Sequence, residues 1–181
     1  MAPTGTIPAS KLVTLFNNTC LAQYPDVQAV RTTFERAGLK DITYEEQDPA
    51  LGNWIYSDDD GELSATIGTT VVHWSGLGGG GVEYDSRCEV SGILINPESI
   101  DLALEDLGTS LELDTTRNFS FDNQNRRGGI LEHDGARYRI HFGQPIKVKR
   151  AQNGEIPLEC NGVDRCRVWD RARLTIRPTD Q

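Results

Sequence analysis

The sequence predicts an α+β fold in which a mainly antiparallel, curved sheet packs against an N-terminal helical hairpin and one further helix. Apolar residues recur at helical spacing near the N terminus. Further along the chain they recur at every second position, which is typical of strands with one buried face. Asn-Gly and Asp-Gly pairs separate several of these alternating runs and favour tight turns. Helices followed by strands of this kind predict helices packed on one face of a sheet.

The helical elements are predicted from their caps and apolar faces. Ser10 is a suitable N-cap for a first helix that runs to about residue 22. Tyr24-Pro25-Asp26 starts a second helix, with Pro25 at its first position, and Gly38 ends it. A third helix over 97–107 follows Asn96, and Glu98 lies near its positive end. The first two helices are expected to form a hairpin.

The strands are predicted from alternation between apolar and polar residues. They cover residues 53–56, 62–74, 82–95, the hairpin 129–142, 146–149 and 165–177. A glycine run at 78–81 is expected to be a flexible hairpin connection, because no helix signal follows it as a phosphate-binding loop requires.

At 181 residues the chain is long enough for one domain, which we place at residues 9–177. Residues 1–8 are predicted to form a flexible N-terminal tail and 178–181 a C-terminal tail. No apolar run approaches the roughly 20 residues of a membrane span. The small residues at the start are similar to the mature end left by signal cleavage, which favours a periplasmic or secreted protein. A cytoplasmic location is the alternative.

Four cysteines predict two disulfides, for which three pairings exist. Cys20 and Cys88 each lie on the apolar face of their element, so both point to the core and are expected to pair. Cys160 and Cys166 flank a short loop and are expected to close it. The spacing does not match a structural zinc site, and buried free thiols are the main alternative. We therefore expect no metal and no cofactor.

Charge is divided unevenly along the chain, which carries a net charge of -9. Residues 1–116 hold 5 Lys and Arg against 19 Asp and Glu, while residues 117–181 hold 13 against 8. The simplest interpretation is that the two halves pair within the molecule. The alternative is an acidic side and a basic side, each open to a partner. The pI of about 4.8 argues against nucleic acid.

The strand at 165–177 carries the candidate binding site, because arginines alternate there with apolar residues. Guanidinium groups in a row suit carboxylate, sulfate or phosphate groups, and a tryptophan among them can stack on a ring. The candidate binding residues are Arg167, Trp169, Arg171, Arg173 and, on a neighbouring strand, Arg139. In the alternative interpretation, Glu83, Asp85 and Glu89 lie opposite these arginines and neutralise them.

The sequence gives little indication of a catalytic site. Neither a nucleophile-elbow motif nor a zinc-protease motif is present. Of the three histidines, His73 and His141 are the candidates for an acid/base residue.

The function that these features favour is an exported, non-enzymatic binding protein, of the inhibitor or immunity-protein type, that recognises a charged partner. Its partner would be another protein or an anionic ligand. Its recognition surface would be the basic strand around Trp169 or the acidic N-terminal half. The alternative is a small hydrolase that acts on a cell-envelope or anionic substrate with a histidine as acid/base. The sequence indicates no oligomeric state.

Overall fold

The computed structural model describes residues 5–43, 52–76, 79–96, 99–107, 125–153 and 155–179. Within these ranges, some side chains are not described. They are the side chains of residues 70–76, 83–84, 101, 125–126 and 159.

Within the described residues, three α-helices cover one face of the sheet. They are α1 (Ala9–Phe16), α2 (Val27–Arg36) and α3 (Ile100–Leu104). A π-helical turn over Asn17–Leu21 extends α1. The helix therefore begins one residue before the predicted cap, and the residue at its N-cap, Pro8, makes no side-chain cap bond. At the start of α2 the cap is Asp26, whose carboxylate accepts the backbone N–H of Ala29 at 2.9 Å.

Nine strands are present in the described residues. They are β1 (Lys40–Asp41), β2 (Asn53–Ser57), β3 (Leu63–Gly76), β4 (Gly79–Gly92), β5 (Asn125–His133), β6 (Ala136–Gln144), β7 (Ile146–Arg150), β8 (Arg165–Trp169) and β9 (Ala172–Pro178). Seven of them form an antiparallel main sheet in the order β1-β2-β3-β4-β9-β6-β5. It is not closed into a barrel, since β1 and β5 lie at opposite edges. The pair β7 and β8 forms a separate two-stranded unit, here called the ribbon.

The predicted single strand over 165–177 is wrong in one respect: it is interrupted at Asp170 and Arg171. The N–H of Asp170 bonds the carbonyl of Pro145 at 2.8 Å, which ends the ribbon. The chain then crosses into the middle of the main sheet as β9. The arginine row is divided in consequence, with Arg167 on the ribbon and Arg173 on the main sheet. Alternation could not reveal this, because the period of two keeps its phase across the break.

The core lies between the helices and one face of the main sheet. Even-numbered residues of β9, including Leu174 and Ile176, are buried there. They pack in one cluster with helical residues such as Leu12, Phe16 and Phe34. The predicted α+β class, with an antiparallel sheet against an N-terminal helical hairpin and a further helix, is confirmed.

Both predicted disulfides are confirmed. Cys20 pairs with Cys88 and thereby joins the π-helical turn to β4, and Cys160 pairs with Cys166 around a short loop. Disulfides of this kind are typical of proteins in an oxidising compartment. Among the helices within the described ranges, none has the length and apolarity that crossing a bilayer requires.

The two ends of the described chain are held to the domain. Ile7, placed by the sequence in the N-terminal tail, is only 4% exposed. Its N–H bonds the carbonyl of Ile93 at 3.2 Å and its carbonyl accepts the N–H of Ile95 at 3.0 Å. At the other end β9 extends to Pro178, and the N–H of Thr179 bonds the carbonyl of Arg137 at 3.1 Å. Ile7 is therefore joined to the segment that follows β4, and Thr179 to β6, by backbone hydrogen bonds.

Candidate functional site

Arg171 makes its described contacts inside the molecule. Its guanidinium donates to the carbonyl of Glu62 at 3.1 Å, to Oγ of Ser64 at 3.1 Å and to the carbonyl of Ser91 at 3.5 Å. A further bond reaches the carbonyl of Gly61. These acceptors belong to the turn before β3, to the start of β3 and to the end of β4. The side chain holds strand ends together, and we leave it out of the site proposed below.

The acidic strand and the arginine strand are neighbours, as the sequence suggested, but they do not form a salt-bridge ladder in the described residues. The register of β4 and β9 places Glu89 opposite Thr175 and Ser91 opposite Arg173. Thr175 donates its hydroxyl to the Glu89 carboxylate at 3.2 Å. No described ion pair joins Arg167, Arg171 or Arg173 to an acid of β4.

The face of the main sheet opposite the helices, called here the outer face, carries one mixed polar row. Cross-strand pairing places Glu89 beside Thr175, and Thr175 beside His141 on β6. Directly paired residues have Cβ atoms about 5 Å apart, so Thr175 is a neighbour of Glu89 on one side and of His141 on the other. All three are half-buried. A carboxylate, a hydroxyl and an imidazole are therefore brought together from three strands.

Glycine makes room for His141. A Cβ atom on Gly143 would lie 3.0 Å from Cε1 and 3.6 Å from Nδ1 of the imidazole, so the ring lies above this glycine. Gly143 is in turn the cross-strand partner of Arg173. Arg139, a candidate from the sequence, also lies on the outer face, directly opposite Arg177. The outer face thus combines the histidine row with arginines on both sides.

The ribbon carries a second cluster of arginines. Its register pairs Ile146 with Trp169, Val148 with Arg167, and Arg150 with Arg165. These six residues share one face of the ribbon, because side chains alternate along each strand. The three arginines are exposed, and none of their guanidinium groups has an ion pair or hydrogen bond with another described residue. Like charges directly opposite each other destabilise a strand pair, so Arg150 and Arg165 form an unneutralised pair.

On the other face of the ribbon, Lys147 is neutralised by an ion pair. Lys147 Nζ lies 2.8 Å from the Asp170 carboxylate, at the corner where the chain leaves the ribbon. Burial works against ionisation of Asp170. The hydrogen bonds from Lys147 and from the N–H of Arg171, together with the charges of Lys147 and Arg173, outweigh burial and hold the pKa of Asp170 below its ordinary value. The two faces of the ribbon therefore differ in free charge.

The histidines predicted as acid/base candidates are separated. His73 lies on β3, where its backbone pairs with Val82, and its side chain is outside the described part. The cavities in the described residues include one of about 530 Å³ between α1, α2 and β3, one of about 290 Å³ along α2, and one of about 640 Å³ beside β7. None of these three has a histidine in its lining.

Sequence reasoning missed several members of both clusters. Arg150 was not grouped with the arginine strand, since only strand pairing brings it opposite Arg165. Thr175 and Gly143 carry no catalytic motif, and only the register places them around His141. The one local signal was the glycine that follows His141 by two residues on the same face.

Comparison with known proteins gives no match: no family model, curated protein or solved structure is significantly similar to this chain. The function is therefore argued from the surfaces alone.

Proposed function

We propose that the protein is an exported, non-enzymatic binding protein, periplasmic or secreted, that recognises a negatively charged partner through the arginine face of the ribbon. The observation that carries the proposal is the direct opposition of Arg150 and Arg165, both exposed and neither joined to an acid by an ion pair in the described residues. A bound carboxylate, sulfate or phosphate group would relieve the repulsion between them. Such a protein would be of the inhibitor or immunity type.

Two further features support this proposal. Arg167 and Trp169 lie on the same ribbon face, so a planar group stacked on the indole would lie within reach of guanidinium groups. The two disulfides fit an exported protein, since such bonds persist in oxidising compartments.

The test measures binding of poly-glutamate and of heparin at low salt by titration calorimetry. We expect both polymers to bind the wild-type protein, with an affinity that falls as salt screens the charges. The triple variant Arg150→Gln, Arg165→Gln, Arg167→Gln should lose about tenfold or more in affinity, which corresponds to about 1.4 kcal/mol.

The matched control removes the same number of charges from the outer face, with Arg139→Gln, Arg173→Gln and Arg177→Gln. We expect this control to bind both polymers nearly as well as the wild type. Equal losses in the two triple variants would indicate a response to net charge alone and would contradict the proposal. A loss confined to the outer-face variant would move the binding site away from the ribbon.

A second candidate function, a small hydrolase for an anionic substrate, is favoured by one observation. The register places Thr175 between His141 and Glu89, with Arg173 beside the glycine under the imidazole. In this proposal His141 acts as acid/base and an arginine orients the anion. Ester, phosphodiester and peptidoglycan substrates test it. Turnover that His141→Gln abolishes would support it, and absence of turnover with all three substrates would count against it.

A further inference from the structure

Beside the arginine face of the ribbon lies a group of exposed apolar side chains. Of the nine large apolar side chains that are exposed among the described residues, four lie between positions 148 and 163. They are Val148 (42% exposed), Ile156 (38%), Leu158 (93%) and Val163 (54%). Single exposed apolar residues need no explanation, but a group of them on a rigid surface marks an interaction site.

Three of these apolar residues line a groove together with basic residues. The groove, about 640 Å³ in volume, lies between β7 and the segment 155–158. Val148, Ile156 and Leu158 line it, and its charged lining residues are Lys149, Arg150 and Glu155, two cations against one carboxylate. Arg150 lies at the wall of this groove, and its cross-strand neighbour on the ribbon is Arg165. The groove therefore offers apolar surface and positive charge side by side.

Backbone hydrogen bonds and a disulfide fix the conformation of the segment that carries Leu158. Leu158–Cys160 forms a 3-10 turn, in which the N–H of Cys160 bonds the carbonyl of Pro157 at 2.9 Å. The disulfide from Cys160 to Cys166 joins this turn to β8. Gln152 and Glu155 exchange backbone hydrogen bonds of 3.1 and 2.9 Å at the base of the segment. A side chain presented by such a turn loses little conformational freedom when it binds.

We propose that this groove binds an acidic segment of a partner protein, with a large apolar side chain of that segment packed against Leu158 and Ile156. Carboxylates of the same segment then lie against Arg150 and Arg165. The inference rests on the proposed function and narrows its partner to a protein. An acidic segment is inferred because it complements the charge of the arginines. A protein is inferred because the apolar side chains of the groove favour a ligand with an apolar side chain. A sulfated polysaccharide carries the charge without an aliphatic side chain to fill the groove.

Two peptides of equal length and equal charge test this inference with the full chain. One alternates glutamate with leucine, and the other alternates glutamate with glycine. Chemical-shift titration of the isotope-labelled protein measures both affinities, even when they are weak. We expect the leucine peptide to bind about tenfold more tightly, because its side chains are buried in the groove. Leu158→Ser should remove this difference and leave binding of the glycine peptide unchanged.

Leu102→Ser is the matched control, since Leu102 is 70% exposed on α3, in a separate part of the fold. It should retain the preference for the leucine peptide. Equal binding of both peptides would contradict the inference of a protein partner, and so would a Leu158→Ser variant that still prefers the leucine peptide. The proposal that the ribbon binds anions would stand in either case. If neither peptide nor poly-glutamate binds, the proposed function itself fails. Sedimentation velocity adds one outcome: a dimer that Leu158→Ser dissociates would make a second copy of this chain the occupant and would overturn the inference.

Discussion

The guanidinium of Arg171 donates a hydrogen bond to the backbone carbonyl of Glu62, 109 residues earlier in the chain, at 3.1 Å. This contact ties the break between β8 and β9 to the turn that leads into β3. Its existence explains why one arginine of the alternating row is not presented to solvent with the others.

Arg171→Met is expected to destabilise the fold by about 2 kcal/mol, because several acceptors lose a charged donor at once. Urea unfolding monitored by circular dichroism measures the change. Arg173→Met is the control, since Arg173 is exposed and makes no described hydrogen bond. It should change the free energy of unfolding by no more than about 0.5 kcal/mol. Equal midpoints for the two variants would show that the Arg171 bonds contribute nothing.

Gln144 is a buried amide whose replacement should stabilise the protein. The residue is 0% exposed, and neither its Oε1 nor its Nε2 has a hydrogen-bond partner among the described residues. Burying an unsatisfied amide costs free energy that an apolar side chain of similar size avoids. We expect Gln144→Met to raise the free energy of unfolding by about 1 kcal/mol. Thermal unfolding measures it, and Gln152→Met, at an exposed position, is the control.

If Gln144→Met instead lowers the free energy of unfolding, the Gln144 amide has a hydrogen-bond partner, such as a buried water, and the prediction is wrong.

We expect the free energy of unfolding to fall at alkaline pH because of Tyr24. Burial, then the neighbouring Tyr138 and the charge of Asp85, raise the pKa of its hydroxyl to about 12. The unfolded chain releases this proton near pH 10, so stability is fully present below pH 10 and is lost as the pH rises towards 12. Chemical unfolding at a series of pH values measures this slope. Tyr24→Phe should flatten it, and an unchanged slope in that variant would exclude Tyr24 as the cause.

The two disulfides should differ in their contribution to stability. Cys20 and Cys88 are separated by 68 residues, and Cys160 and Cys166 by 6. The chain-entropy model assigns about 4 kcal/mol to the long loop and about 2 kcal/mol to the short one. Replacing each pair by alanines and measuring urea unfolding tests the order. A larger loss from the short loop than from the long one would contradict it.

The pairing of Cys20 with Cys88 is a feature that local sequence pattern was sufficient to predict. Cys20 follows Phe16 at helical spacing, and Cys88 alternates with polar neighbours on its strand, so each residue faces the core by the geometry of its own element. Two core-facing cysteines can pair when their elements pack together, and no knowledge of the topology is needed. The helical hairpin and the overall α+β class were predictable for the same reason.

The candidate site depends on pairings that local pattern does not encode. Residues 165–177 keep one alternation throughout, yet Asp170 and Arg171 divide them between two sheets. Whether an arginine faces solvent, a carbonyl or another arginine depends on the strand beside it and on the register, which are set by distant parts of the chain. The sequence by itself determined the type of most elements, their buried faces and the disulfide pairing, because these follow from the backbone periods of helix and strand. Only the tertiary structure decided that Arg150 meets Arg165 and that His141 meets Thr175, because those meetings are set by long-range packing.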